Sequence, residues 1–335
     1  MALYIAGFVI CSALIFYHGT KLSFYGDLLS IKSGLGKAWV GLILMASVTS
    51  LPELVIGISS VTVVESADLA VGNVLGSCVF NLAILSLLDA IMPGKPVLTQ
   101  VANSNVLAAT LCTILLCLVG IGLFLPNELI IMNWIGITSL GFLTIYLVSI
   151  RLLHTYGLRN DPAIGAVNPP GGDVDMSLRK VILWYSVHAV MVIGAAVALP
   201  YFSDQISSQT GISQSFVGTL FLAASSSLPE VAVSLSAARI GNVDMAVGNL
   251  FGSNIFNIML LAISDIFYLP GELLKDASEA NLVTVFAIIG MNAIAIAGLT
   301  IRPEKKRFHF LAWDTMLIFL LYIITMLFIF IYPSQ

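Results

Sequence analysis

The chain has 335 residues, of which 59% are hydrophobic and only 10% charged, and its mean hydropathy is +1.01. These values exclude a soluble domain folded round one core and describe an integral membrane protein. The net charge of −4 is spread thinly over loops, and no basic cluster suggests a nucleic-acid partner.

A bilayer core takes about 20 apolar residues per spanning helix. The apolar runs predict ten spans, at 2–18, 38–62, 68–92, 103–124, 128–150, 181–203, 214–237, 244–269, 280–301 and 311–332, five in each half. The first span lacks the basic start and small-residue cleavage site of a signal peptide, so it reads as a permanent helix. Cys11, Cys78, Cys112 and Cys117 fall within apolar spans without metal-ligand spacing, which predicts neither a disulfide framework nor a zinc site. His18, His154, His188 and His309 sit mostly at span ends and predict no histidine-based metal or catalytic cluster.

With the N-terminus outward, 13 of the 14 basic residues lie on the inner side, leaving only Lys275 outside; both termini are therefore expected to be extracytoplasmic, in the cell (inner) membrane. A cytoplasmic linker, 151–180, joins a first half at 1–150 to a second at 181–335. It is too short for a folded domain, and its Asp173 and Asp175 read as solvated loop residues.

The chain contains one stretch twice. Ala46–Glu53 and Asp68–Asn81 recur as Ala223–Glu230 and Asp244–Asn257, and the two 14-residue segments share nine identities. The repeat units run over about 41–89 and 218–265, an internal duplication. Because each copy holds five spans, an odd number, the second copy starts on the opposite side of the membrane. The expected fold is an all-α polytopic membrane protein, ten transmembrane helices in two inverted five-helix repeats, with broken helices at a central ion site.

The duplicated residues carry the chemistry. Thr49 and Glu53, Ser77 and Asn81, Ser226 and Glu230, and Ser253 and Asn257 are each four apart and share a helix face. Pro52 and Pro229 donate no backbone hydrogen bond, which frees the carbonyls of Val48 and Ser225 and predicts a kink or break. Brought together, the copies supply two carboxylates, two amides, several hydroxyls and loosened carbonyls, all oxygen donors of the kind hard cations take. One Ca²⁺, or competing Na⁺ ions, would neutralise the two glutamates, and a site too costly to leave charged and empty gives obligatory exchange.

Gly72, Gly76, Gly248 and Gly252 form GxxxG spacings and are expected to pack the third and eighth spans against the second and seventh. Asp68 and Asp244 read as caps at helix starts, and Asp89 and Asp265 as residues at the water boundary. Asp314, in the last span, has no repeat partner and no assigned role.

These segments resemble the alpha-repeats of the cation/calcium antiporter superfamily, most closely its prokaryotic sodium/calcium exchanger branch. The resemblance implies an exchanger, not an enzyme, that moves calcium against sodium by alternating access, with the first and sixth helices sliding over a core of the other spans. It implies calcium ligands at Glu53 and Glu230 assisted by Thr49 and Ser226. It also implies sodium ligands from Thr49, Ser77 and the Ala46 carbonyl on one side, and Ser226, Ser253 and the Ala223 carbonyl on the other. Asn81 and Asn257 complete the centre, and Ser50 and Ser227 extend the hydroxyl lining. No cofactor is implied; Ca²⁺ and Na⁺ are the cargo, the lipid bilayer is the surroundings, and no protein partner follows.

The chain departs from the family pattern at Cys78, where a second asparagine is usual, at Ser226, where threonine is usual, and at Asn257, where potassium-dependent members have aspartate. Val74 and Leu250 do not fit the proton-coupled branch. An antiporter that couples protons, or moves another divalent ion, through the same glutamates is the alternative. An intramembrane enzyme lacks a Ser/His, Cys/His or HExxH constellation, and a passive channel suits the broken helices and enclosed site less well.

Overall fold

The computed structural model describes residues 1–34, 39–124, 130–131, 135–160, 176–210, 226–306 and 310–331. Helix α1 spans Ala2–Ser33 and ends on Gly34 in the left-handed conformation (φ 73°) that favours glycine. The second span opens with a π-helical segment, Val40–Met45, continues as α2 (Ala46–Thr49), and turns 43° at Ser50 into α3 (Leu51–Thr62). Then come α4 (Ala67–Ile91), a 3₁₀ turn (Val97–Gln100), α5 (Ser104–Phe124), and a small antiparallel hairpin of β1 (Ile130–Ile131) and β2 (Ile135–Gly136). It leads into α6 (Ile137–Asn160).

The second half contains α7 (Leu178–Thr210), α8 (Leu228–Arg239), α9 (Val243–Phe267), the short α10 (Leu273–Asp276), α11 (Asn281–Ile301) and α12 (Trp313–Ile331). Among the described residues seven helices are long and apolar enough to cross a membrane, the bent α2–α3 pair makes an eighth span, and α12 is a shorter apolar helix. The chain is therefore a multi-pass membrane protein that is nearly, not wholly, helical. Of the expected seventh span, 214–225 lies outside the described residues.

Three boundaries differ from the hydropathy reading. The first span was expected to stop at residue 18, but α1 runs on to Ser33 with Leu22, Leu28 and Leu29 buried, so Lys21 and Lys32 belong to a helix instead of a loop. Apolarity averaged along the chain falls at the lysines, whereas one face continues to pack. The sixth span likewise extends on both sides as α7. The fifth begins nine residues late because the hairpin occupies its predicted start.

The two helices that carry the repeated Asp-to-Asn segments, α4 and α9, lie at the centre and pack on each other. The outer helices expose Leu, Ile and Phe, as Phe319, Leu320 and Leu327 do on α12, which suits a lipid-facing surface. The backbone of α9 comes very near the second span. A Cβ on Gly252 would sit 2.0 Å from the Leu42 carbonyl oxygen, and one on Gly41 would sit 2.4 Å from that of Met245. Gly252 thus has the packing role its spacing predicts; Gly72 does not, with nothing within 4 Å.

Conserving one shift along the chain, a set of hydrogen bonds fixes the helix ends. Asp89 accepts from Val97 N (2.9 Å), Ala312 N (2.7 Å) and Thr315 Oγ1 (2.7 Å). Moved on by 176 residues, Asp265 accepts from Leu273 N (2.7 Å), Gly136 N (2.9 Å) and Ser139 Oγ (2.6 Å), where 136 and 139 are themselves 176 before 312 and 315. Both aspartates are buried, not at the water boundary as expected, because they replace water as acceptors for backbone N–H groups. Asp89 also pairs with Lys306 (3.3 Å).

Asp68 and Asp244 cap helices of the opposite half instead of their own. Asp68 accepts from Ser278 N (2.5 Å) and Asn281 Nδ2 (3.1 Å) at the start of α11. Asp244 accepts from Ala102 N (2.6 Å) and Asn105 Nδ2 (3.0 Å) at the start of α5. The N-cap of α4 is Ser66, whose hydroxyl accepts from Leu69 N. Asp314 is buried, with its carboxylate against Gly298 of α11.

Candidate functional site

The break in the second span follows from its sequence. Ser50 leaves helical geometry (φ −90°, ψ 4°), and Pro52 then occupies the first turn of α3, where a missing N–H leaves no hydrogen bond unmade. Ser227 adopts the same conformation (φ −88°, ψ 7°) before Pro229 in α8. Each break turns a glutamate in the first turn of the following helix toward α4 and α9. A helix N-terminus also carries partial positive charge, which suits a carboxylate there.

Thr49, Ser50, Glu53, Ser77, Asn81, Ser226, Ser227, Glu230, Ser253 and Asn257 are all fully buried, and the fold gathers them between the central helices. Glu53 Oε1 accepts from Ser77 Oγ and from Ser227 Oγ, each at 3.4 Å. Glu230 Oε1 accepts from Ser253 Oγ (3.4 Å) and Ser50 Oγ (3.1 Å). Each glutamate therefore takes one hydroxyl from its own half and one from the other. Thr49 Oγ1 lies 3.2 Å from Ser253 Oγ and donates to the Ala46 carbonyl (3.2 Å), while Ser226 lies beside Glu53. Ala223 is outside the described residues.

The second oxygen of each carboxylate is the chemically telling atom. Oε2 of Glu53 and of Glu230 is buried with no hydrogen-bond partner among the described residues, as are Oδ1 of Asn81 and both polar atoms of the Asn257 amide. Neither glutamate has an ion pair among the described residues. Unpaired acceptors buried in an apolar interior cost several kcal/mol in principle, and a cation supplies what the protein withholds. The donor set is oxygen only, which fits a hard cation.

Three further residues join this network without having been singled out. Asn249 Nδ2 donates to Ser234 Oγ (3.0 Å), and Thr49 Oγ1 lies 3.5 Å from Asn249 Oδ1. Asn81 Nδ2 donates to Asn254 Oδ1 (3.0 Å), and Asn254 Nδ2 donates to the Cys78 carbonyl (3.2 Å). The repeated Gly-Asn pair signalled Asn249. Ser234 gave no such signal, because its counterpart in the first half is Gly57. Cys78 stands opposite Asn254 with its thiol buried and close to Asn257, so the first half offers a sulfur where the second offers an amide.

The chain is 26% identical over 283 residues to the inner membrane protein YrbG of Escherichia coli, covering 82% of this chain and 85% of that one. It is 34% identical over 139 residues to the sodium/calcium exchanger MaX1 of Methanosarcina acetivorans, covering 40% and 36%. Its fold matches a solved structure of the sodium-calcium exchanger NCX_Mj with a TM-score of 0.73 at 20% identity, over 100% of this chain and 99% of that chain. The family model described as sodium/calcium exchanger protein matches residues 3–152 and 180–331, and the chain belongs to that family.

Proposed function

We propose that this protein is a secondary antiporter that exchanges sodium for calcium by alternating access, at a midplane site built on Glu53 and Glu230. The observation that carries the reading is the pair of buried carboxylates, each with one oxygen held by hydroxyls from both halves and one without a donor among the described residues. Calcium bridging the two unpaired oxygens gains ligands from Thr49 and Ser226. Sodium ions draw on Ser77 and Ala46, and on Ser253 and Ala223, with Asn81 and Asn257 at the centre. Since both ions need the same glutamates, they compete, and an unoccupied site holding two buried charges does not cross between open states.

The proposed architecture is ten spans in two inverted halves, 1–150 and 181–335, joined by 151–180, with both termini outside. The constant shift of 176 residues between the two sets of aspartate hydrogen bonds supports it. Helix α1 lies chiefly along α7, which suits the sliding pair that the resemblance implies. Uptake of radioactive calcium into proteoliposomes loaded with sodium, choline or acid tests the reading. Uptake driven only by internal sodium is expected; uptake driven by acid alone would assign proton coupling to the same site.

A further inference from the structure

Two histidines that the sequence keeps 170 residues apart meet across α1 and α7, with His18 Nδ1 and His188 Nδ1 at 2.8 Å. One Nδ1 carries the shared proton and the other accepts it. The rings are held from several sides. Tyr17 meets His18 edge-on (5.0 Å between centroids, 90°), while Tyr25 (5.4 Å, 17°) and Trp184 (5.9 Å, 25°) stack on His188. Tyr17 and Trp184 are 58% and 39% exposed, so the ring cluster reaches the protein surface. Two residues further, Thr20 Oγ1 and Ser236 Oγ are 2.9 Å apart and pin α1 to α8.

We propose that His18 and His188 form a two-histidine site for a late first-row divalent cation, such as Zn²⁺, Ni²⁺ or Cu²⁺, bridging α1 and α7. The chemistry is that of neutral imidazole, the ligand these metals share. With metal–nitrogen bonds of about 2.0–2.1 Å, two imidazoles at a tetrahedral ion stand about 3.3 Å apart, so the observed pair needs to open by about half an ångström. On binding, the proton moves from Nδ1 to Nε2 of the same ring, so two neutral histidines release none. Among the described residues no third His, Cys, Asp or Glu joins them, so water completes the shell and the site is weaker than a structural zinc site. Lys21, the nearby cation, opposes the metal's charge.

The site is separate from the glutamates, and its test is independent of transport. Copper titrated into the purified full chain is followed by electron paramagnetic resonance. The first equivalent is expected to show coupling to two imidazole nitrogens, and His18→Gln or His188→Gln to lose it and weaken binding by roughly tenfold or more, the scale of losing a metal-site group. Glu53→Gln should leave the signal intact. Lys21→Gln, at an exposed residue, should tighten binding by roughly threefold, the scale of a surface charge. A first equivalent without two-nitrogen coupling, or coupling that persists in both histidine variants, overturns the proposal. If neither histidine variant can be purified, an affinity unchanged in Lys21→Gln overturns it as well.

Discussion

At the residue scale, the second oxygen of each site carboxylate has no donor among the described residues. Replacing Glu53 or Glu230 by Gln removes the charge that a divalent ion needs while preserving shape. Uncompensated charge in a buried pair costs about 3–5 kcal/mol, so calcium uptake is expected to fall by at least roughly a hundredfold in either variant. Asn81→Ala, which loses a neutral contact to Asn254, is expected to cost only about fivefold, a hydrogen bond's worth of about 1 kcal/mol. Proteoliposome flux measures both, and near-normal flux in either glutamate variant would remove the site.

The duplication marks the twelve candidate positions in two copies, and the ten polar ones lie buried together between the central helices. What the duplication could not mark is what differs between copies. Ser234 has Gly57 as its counterpart, and the ring contact of His18 with His188 joins unlike positions of the two halves. That contact could not be read from the sequence, because spacing along a chain does not show which helices become neighbours.

At the element scale, close backbone approach and buried end-clamps hold the central helices. Gly252→Ala places a methyl group against the Leu42 carbonyl, where neither backbone can yield cheaply. Overpacking of this kind costs about 1–3 kcal/mol, so the detergent-solubilised variant should unfold at lower temperature. Gly72→Ala, facing open space, should be neutral or gain up to about 1 kcal/mol of helix propensity. Equal destabilisation by the two would deny Gly252 its special contact.

Asp265→Asn turns an amide N–H toward backbone N–H donors of Gly136 or Leu273. The expected loss is about 1–3 kcal/mol, read in the same thermal assay. Span positions were legible from hydropathy, since α4, α5, α9 and α11 fall within a few residues of their predicted runs. The extensions of α1 and α7 were not; in α1 the added turns bury Leu22, Leu28 and Leu29 on one face while Lys21 and Lys32 lie exposed.

At the scale of the whole molecule, the inverted architecture proposed above would give the two membrane sides equivalent routes to one site. The stoichiometry expected from the family, three Na⁺ for one Ca²⁺, moves one net charge per cycle. A membrane potential then acts on exchange by about 2.3 kcal/mol per 100 mV. Sodium-driven calcium uptake should therefore respond to an imposed potassium diffusion potential, and flux indifferent to voltage would require an electroneutral exchange of two for one. The proposed inversion rests on the odd number of spans predicted in each half. The cross-half hydrogen bonds of Asp68 and Asp244 were not, because a cap looks the same in sequence whether it serves its own helix or another's.

The central claim is that both ions use the same two glutamates. The measurement that tests it most directly is calcium binding to the purified protein at rising sodium concentration, for the wild type and for Glu53→Gln and Glu230→Gln. The account predicts one site whose apparent affinity for calcium falls steadily as sodium rises, and no measurable site in either variant. Calcium binding that ignores sodium, or that survives loss of either carboxylate, would contradict it.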